Sequence, residues 1–391
     1  MAISRQSSPK NEEFCSQCVF KSDTVTRPVL RKALFQAYLE ARIGKRGTED
    51  EIRFEVNLFD NIDRLTEAII TRTYNPGRGI AFIVRDPVIR EIFAATFKDR
   101  VVHHLLYDLS YNWWDRRFIG NSFSCRVGKG TELGWRTMRK DMIKCSKMGK
   151  VPSTIYKFDL SGYFMSLNRK LLYERVDWGL RRQFKDAPKI YQLAKYLWHE
   201  VIFDHPTEGV TIRGTKHDWR NLPKTKSLFF QPPETGIVIG NLTSQLLSNI
   251  YLDQLDRFVK IELGYKYYGR YVDDFYIVIP NTEKARLAKD RKRIELYLGS
   301  LGLKLHPKKC YAQPVEHGVE FLGAKVYLQH VQPGSRVKHN FHRAVYNTAN
   351  GLRPNFEAIT SYTGLMTRMK ADKEIARIFE KVGWEYEELS L

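Results

Sequence analysis

A chain of 391 residues, 43% of them hydrophobic, carries ample apolar side chain for a buried core and is long for a single one, so two or three lobes are expected. Its 64 Lys+Arg against 44 Asp+Glu leave a formal charge of +20, which suits a polyanionic partner, nucleic acid before an anionic membrane surface. No apolar run is long enough to cross a bilayer and the N-terminal MAISRQSSPKNEEF lacks a secretory core, so a membrane span and secretion are set aside and a cytoplasmic location is expected.

In chain order, the first 20 or so residues are polar, and order there is expected only with a partner. Cys15 and Cys18 form a lone CxxC; with Cys125, Cys145 and Cys310 far off in sequence, no second pair stands ready for zinc, and free thiols are expected. Helical periodicity starts near Val29 and recurs through Asp50–Arg72. Pro76, Gly77, Gly79 and Pro87 punctuate the apolar run Ile80–Val84, which predicts a strand or hairpin. A long helix is expected from about Val88 to Trp114. The loop FIGNSFSCRVGKGT (118–131) precedes a second helix over Glu132–Lys147.

STIYKFDL (153–160) alternates, with Tyr156, Phe158 and Leu160 on one face and Ile155, Lys157 and Asp159 on the other. The pattern predicts a half-buried strand with a carboxylate near its end. Residues 204–233, rich in Pro, Gly, Thr and Lys, read as an excursion within a domain. Leu246–Val259 has helical spacing. YKYYGRYVDDFYIVIP (265–280) predicts strand, turn, strand around two carboxylates. A basic amphipathic helix is expected over Glu283–Leu301, short strands over Leu303–Leu305 and Val319–Tyr327, and helices from Val337 onward.

Asp273-Asp274 is the feature with chemical content. Adjacent carboxylates between apolar strands repel one another and resist desolvation. A divalent cation relieves both costs, and Mg²⁺ asks for only one or two carboxylates plus substrate phosphates. Asp159 at another strand end would complete a site for two ions about 3.5–4 Å apart, with the Leu160 carbonyl as a further oxygen ligand. A solvated turn accounts equally well for the pair taken alone. His103-His104 are adjacent on a helix and share no face, so packing or RNA-facing roles are expected of them.

The flanking residues carry a resemblance. Tyr271-Val272-Asp273-Asp274 matches the YxDD box of reverse transcriptases. FDLSGYF (158–164), GIVIGNLTSQ (236–245), GLKLHPKKC (302–310) and VEFLGAKV (319–326) resemble four more of their motifs, in the family's order. The resemblance reaches upstream to residues 82–106 and 121–131. It implies an α+β right-hand polymerase fold, with fingers, a palm bearing an antiparallel sheet, and a helical thumb. The corresponding boundaries are an N-terminal extension over 1–50, interleaved fingers and palm over 51–335, and the thumb over 336–391.

It implies roles as well. Asp159, Asp273 and Asp274 would hold two Mg²⁺ (or Mn²⁺). Phe164 would be a steric gate selecting dNTPs, the alternative being a core Phe. Arg85 or Arg90 would meet triphosphate oxygens, Arg90 from a loop-to-helix transition. Lys308, slightly ahead of Lys309, would protonate pyrophosphate. Lys129 between two glycines would touch template phosphates, and Phe321, Leu322 and Gly323 would form the primer grip. The interleaved basic and aromatic residues from His339 to Lys370 would hold an RNA–cDNA duplex by its backbone.

Most of the family has Gln-Gly and Ser-Pro where this chain has Ile239-Gly240 and Ser244-Gln245. IGNLTSQ resembles the reverse transcriptases of diversity-generating retroelements, bacterial, archaeal or phage-encoded. These copy a template RNA into cDNA with errors opposite adenine and work with a basic oligomeric accessory variability protein. Ile239 cannot donate the hydrogen bond an amide can, which would relax fidelity. Gly240 would let the backbone approach substrate, and Ser244 would cap a helix or touch template. The alternatives are a group II intron-like or retron reverse transcriptase, an RNA-dependent RNA polymerase, and a non-catalytic RNA-binding module.

Overall fold

The structure is a computed structural model that describes residues 20, 23–85, 88–352 and 354–386. Cys15, Cys18, Pro87 and most of the polar N-terminus lie outside the described residues. Ten strands are found among the described residues: β1 (Ile80–Val84), β2 (Arg90–Ala94), β3 (Ser153–Asp159), β4 (Thr211–Ile212), β5 (Tyr267–Tyr271), β6 (Asp274–Pro280), β7 (Tyr311–Pro314), β8 (Val319–Phe321), β9 (Ala324–Val326) and β10 (Val331–Pro333). With the helices between them they make the α+β fold class expected. The chain divides into two compact units, one of residues 1–119, 160–258 and 295–304, the other of 120–159, 259–294 and 305–391.

The first unit is built on the helix Phe97–Arg117, whose buried side chains lie on most of its faces. Helix Arg27–Ala41 packs on it through Leu30, Ala33, Leu34, Ala37, Tyr38 and Ala41, the spacing of one helical stripe. Helix Leu242–Arg257 packs on it too. β1 and β2 form an antiparallel hairpin, and β4 pairs with β1 in parallel. The long helix expected from Val88 therefore begins later. Residues 90–94 serve as the partner that β1 needs, and Thr96 starts the helix by accepting from the Asp99 backbone N–H.

The 204–233 excursion is fastened to β2 by one buried carboxylate. Glu91 accepts from Trp219 Nε1 and Ser227 Oγ, each at 2.7 Å, and from the Leu228 N–H at 2.6 Å.

His103, buried on the central helix, lines a cavity with Asp99, Arg169, Asp204 and Ser244. Burial holds its imidazole down at about 4; Asp99 opposes this shift and Arg100 adds to it. An unfolded chain takes up this proton below about 6.5, while the folded chain refuses it until about 4, so stability is full above 6.5 and declines as pH falls through that window. A His103→Gln variant should therefore lose about 2 kcal/mol less than wild type between pH 7 and pH 5. Hydrogen exchange of the buried amides of helix Phe97–Arg117 at the two pH values, corrected for intrinsic rates, checks this; equal losses in both chains would refute it.

In the second unit, β5-β6-β3-β7 form an antiparallel sheet, packed against helix Thr131–Ser146. Ile155, Tyr276 and Val278 join Met138, Met142 and Trp135 in its core. Both faces of β3 are covered at its start, so the strand is more buried than its alternation suggested: Ile155 is buried on one face and Phe158 stacks on Phe275 on the other, with ring centroids 4.8 Å apart. Gly269 lies opposite Tyr276 in the β5–β6 register, and a Cβ there would come within 2.7 Å of that ring, whose hydroxyl donates to Asp141 at 2.8 Å.

β8, β9 and β10 make a second antiparallel sheet. The Leu322-Gly323 turn between β8 and β9 has positive φ at both positions (52° and 81°), as the tightest hairpins require. Residues 303–305 form no strand of their own; β7 comes later, after the lysines. The chain closes with helices Ser335–Ala349, Phe356–Thr367 and Asp372–Glu380, which share the cluster Val337, Phe341, Val345, Ile359, Met366, Ile375 and Ile378.

Candidate active site

β3 and β6 are paired so that Asp159 stands directly opposite Asp274, and β5 pairs Tyr271 with the same Asp274. Asp273 sits between them in a two-residue turn. The sheet thus gathers the three aspartates at one end. Two strands contribute Asp159 and Asp274, which have opposite neighbours in the ladder and alternate with the stacked pair Phe158 and Phe275.

Two lysines meet these carboxylates. Lys157, two residues before Asp159 and on the same face of β3, places Nζ 2.8 Å from Asp274 Oδ2 and 5.7 Å from the Phe321 ring centroid. Lys309 reaches both oxygens of Asp159, at 3.1 and 3.2 Å. β7 explains the choice of lysine. It pairs Tyr311 with Lys157, which carries the residues just before it alongside Asp159. Lys308 instead uses its backbone N–H on His306 Nδ1.

Asp274 is under electrostatic tension. Burial, opposed by Lys157 and reinforced by Asp273 and Asp159, pushes its carboxyl up to about 7. Its Oδ1 is buried and accepts no hydrogen bond. Among the described residues no three His, Cys, Asp or Glu side chains already stand as a ready-made metal cage. The donor set nevertheless fits a hard divalent cation: a buried carboxylate oxygen without a donor, a second carboxylate across the ladder, and a third in the adjoining turn.

The other residues singled out in the sequence are distributed between the units. Lys129, Lys308, Phe321, Leu322 and Gly323 belong with the aspartates in the second. Lys129 Nζ donates to the Gly120 carbonyl, and Phe321 is buried with its ring edge-on to Tyr276. Leu160, Arg85, Arg90, Phe164, Ile239, Gly240, Ser244 and Gln245 belong to the first unit.

Arg85 pairs with Asp218 at 2.7 Å. Arg90 is the exposed first residue of β2, not part of a loop-to-helix transition. Phe164 and Ile239 are half-buried against Ala81, Phe93, Met165 and Leu228. The Ile239 carbonyl accepts from Phe93 N–H, which lays the middle motif along β2. Gly240 has φ +128°, and a Cβ there would stand 3.0 Å from the Phe93 carbonyl oxygen, so glycine is required by the fold itself. Ser244 is a buried residue of helix Leu242–Arg257 lining the same cavity as His103; Asn241, not Ser244, is the N-cap.

Three residues of consequence escaped the sequence reading: Lys157, whose only signal was its place on the Asp159 face, and Glu91 and Arg270, which gave none. Cys125, Cys145 and Cys310 carry free thiols. Among the described residues no helix is long and apolar enough to cross a membrane.

Protein YkfC of Escherichia coli is 23% identical, the match spanning 77% of each chain. Among solved structures, telomerase from Candida albicans in complex with a TWJ fragment of telomeric RNA has a TM-score of 0.46 at 12% identity, over 80% of this chain and 56% of that one. Apo telomerase from Candida tropicalis has a TM-score of 0.43 at 15% identity, over 82% of this chain and 62% of that one. The chain spans less than two thirds of those telomerases. The sequence profile of the family described as reverse transcriptase (RNA-dependent DNA polymerase) matches residues 88–326, more than half of the chain. The chain belongs to the reverse transcriptases, the RNA-dependent DNA polymerases.

Proposed function

We propose that this chain copies an RNA template into cDNA by two-metal phosphoryl transfer at Asp159, Asp273 and Asp274. The observation that carries the reading is the register of β3 on β6, which sets Asp159 opposite an Asp274 whose buried Oδ1 lacks a donor. The three carboxylates, with the Leu160 carbonyl, would hold two Mg²⁺, or Mn²⁺ in their place. When bound, such ions lower the pKa of a primer 3′-hydroxyl and neutralise the departing pyrophosphate. Lys157 and Lys309 hold the carboxylates in place by charge, and Lys308 or Lys309 serves as the proton donor to pyrophosphate. Arg85 or Arg90 serves the triphosphate, Phe164 excludes a 2′-hydroxyl, and Lys129 and the Phe321–Gly323 hairpin hold template and primer. The 51–335 segment then comprises fingers and palm, and 336–391 the thumb.

The finer reading is a retroelement enzyme that copies imperfectly at template adenines, with an accessory variability protein as partner. Ile239 supports it, because an apolar β-branched side chain stands where an amide donor is usual. Primer extension on an RNA template, with dNTPs and then rNTPs and with the accessory protein present and absent, tests both levels. Incorporation of dNTPs is expected, with a raised error rate opposite adenine that Ile239→Gln lowers several-fold. Preference for rNTPs would overturn the polymerase class. An adenine error rate unchanged in Ile239→Gln would remove the fidelity role of that residue.

A further inference from the structure

The turn that presents Asp273 has an unfavourable backbone. Val272 is β-branched, yet its φ is +54°, in the left-handed region that such residues avoid. Something outside the turn must hold it there, because strained positions persist only where their surroundings over-determine them.

Arg270 supplies that hold. Its side chain is fully buried on β5. One arm of the guanidinium, Nη1, donates to the Val272 carbonyl at 3.0 Å; the other, Nη2, donates to Ser122 Oγ at 3.2 Å. The backbone around it is fixed to the same segment: Arg270 N–H donates to Asn121 O, Phe123 N–H donates to Arg270 O, and Asn121 Nδ2 donates to Tyr268 O. Burying a guanidinium is a costly way to fill a core, and an apolar side chain would do it at less expense. A forked cation reaching two acceptors at once suits the work of fixing one backbone against another; a lysine ammonium is a single point.

We propose that Arg270 is a positioning residue: it pins the strained Val272-Asp273 turn to the Asn121–Phe123 segment and so fixes the Asp273 carboxylate for catalysis. The inference rests on the reading of Asp273 as catalytic and adds to it the residue that aims this carboxylate.

The test uses the full chain and the variants Arg270→Lys, Ser122→Ala, Val272→Gly, Arg270→Lys/Val272→Gly and Asp273→Asn. Each is followed by circular dichroism, template–primer affinity, steady-state primer extension and Mg²⁺-induced thermal shift. Arg270→Lys is expected to fold and to bind template–primer as wild type does. Its kcat should fall by about 10- to 100-fold, the scale of a small misplacement of a reacting group, with dNTP KM nearly unchanged. The Mg²⁺ concentration giving half the thermal shift should rise. Ser122→Ala should move the same quantities in the same direction and by less.

Val272→Gly removes the penalty on positive φ, so it should restore part of the loss when combined with Arg270→Lys, a non-additive result that ordinary core damage would not give. Wild-type kcat and Mg²⁺ dependence in Arg270→Lys, beside an inactive Asp273→Asn, would overturn the positioning role alone. So would strictly additive effects in the double variant. An Asp273→Asn chain as active as wild type would overturn the catalytic reading beneath it, and the positioning role with it.

Discussion

Asp274→Asn is expected to abolish primer extension, by on the order of 10³-fold or more, while making the ion-free chain more stable at neutral pH. The two effects have one origin. In the folded chain burial holds the Asp274 carboxyl up at about 7, whereas an unfolded aspartate titrates near about 3.9. Between these values the folded chain keeps a proton that the unfolded chain has released. Stability therefore falls as pH rises from about 4 to about 7, the reverse of the behaviour of a salt-bridged carboxylate with a depressed pKa. An amide has no charge to desolvate. Allowing for the Lys157 contact that is lost, the gain should be about 1–2 kcal/mol at pH 7.5. Mg²⁺ should raise the melting temperature of wild type and leave Asp274→Asn unmoved, because the cation offsets a charge the variant does not carry. Calorimetry with and without Mg²⁺, beside primer extension, measures all three quantities. A variant that is less stable than wild type at pH 7.5, or that retains wild-type extension, would show that Asp274 is not a strained metal-binding carboxylate.

Glu91→Ala is expected to destabilise the first unit by about 3–5 kcal/mol, the usual cost of leaving strongly hydrogen-bonded buried groups without their charged partner. Three donors lose their acceptor at once: Trp219 Nε1, Ser227 Oγ and the Leu228 N–H. All three lie in the 204–233 excursion, so the damage should be local, releasing that segment from β2. Two compact units make a single unfolding midpoint a poor measure, and hydrogen exchange with limited proteolysis is the better one. Cleavage should appear first between residues 204 and 233. Glu91→Gln should fall between alanine and wild type: it keeps one acceptor oxygen, while its amide group presents a donor where a donor already stands. Identical exchange and cleavage patterns in Glu91→Ala and wild type would refute the fastening role.

Much of this protein is legible in its sequence. The strand–turn–strand around Asp273-Asp274 is local: two runs of aromatic and β-branched residues flank the carboxylates, and the structure closes the hairpin over Val272 and Asp273, with Asp274 already in β6. The same holds for the strand that ends at Asp159, whereas residues 319–327, whose pattern reads as one strand, turn at Leu322-Gly323 into two. Local patterns of this kind depend on periodicity, and periodicity is a property of neighbours in the chain.

The rest belongs to residues that meet across long separations. Lys309 rather than Lys308 touches Asp159 across 150 positions, because β7 starts after the lysines and fixes which of them lies alongside β3. Residues 90–94 carry apolar spacing that suits a helix, yet they become a strand because β1 offers a ladder that no local preference reveals. Glu91 reads as an ordinary charge until the excursion returns 128 to 137 positions later and closes over it. Arg270, in a basic chain of this composition, reads as one more surface cation until the sheet buries it and turns its guanidinium toward Val272. The sequence by itself determined which carboxylates stand at the ends of which strands. The tertiary structure alone decided which cations face them and what holds their turn, since hydrogen bonds and burial are made by whatever the fold brings within reach.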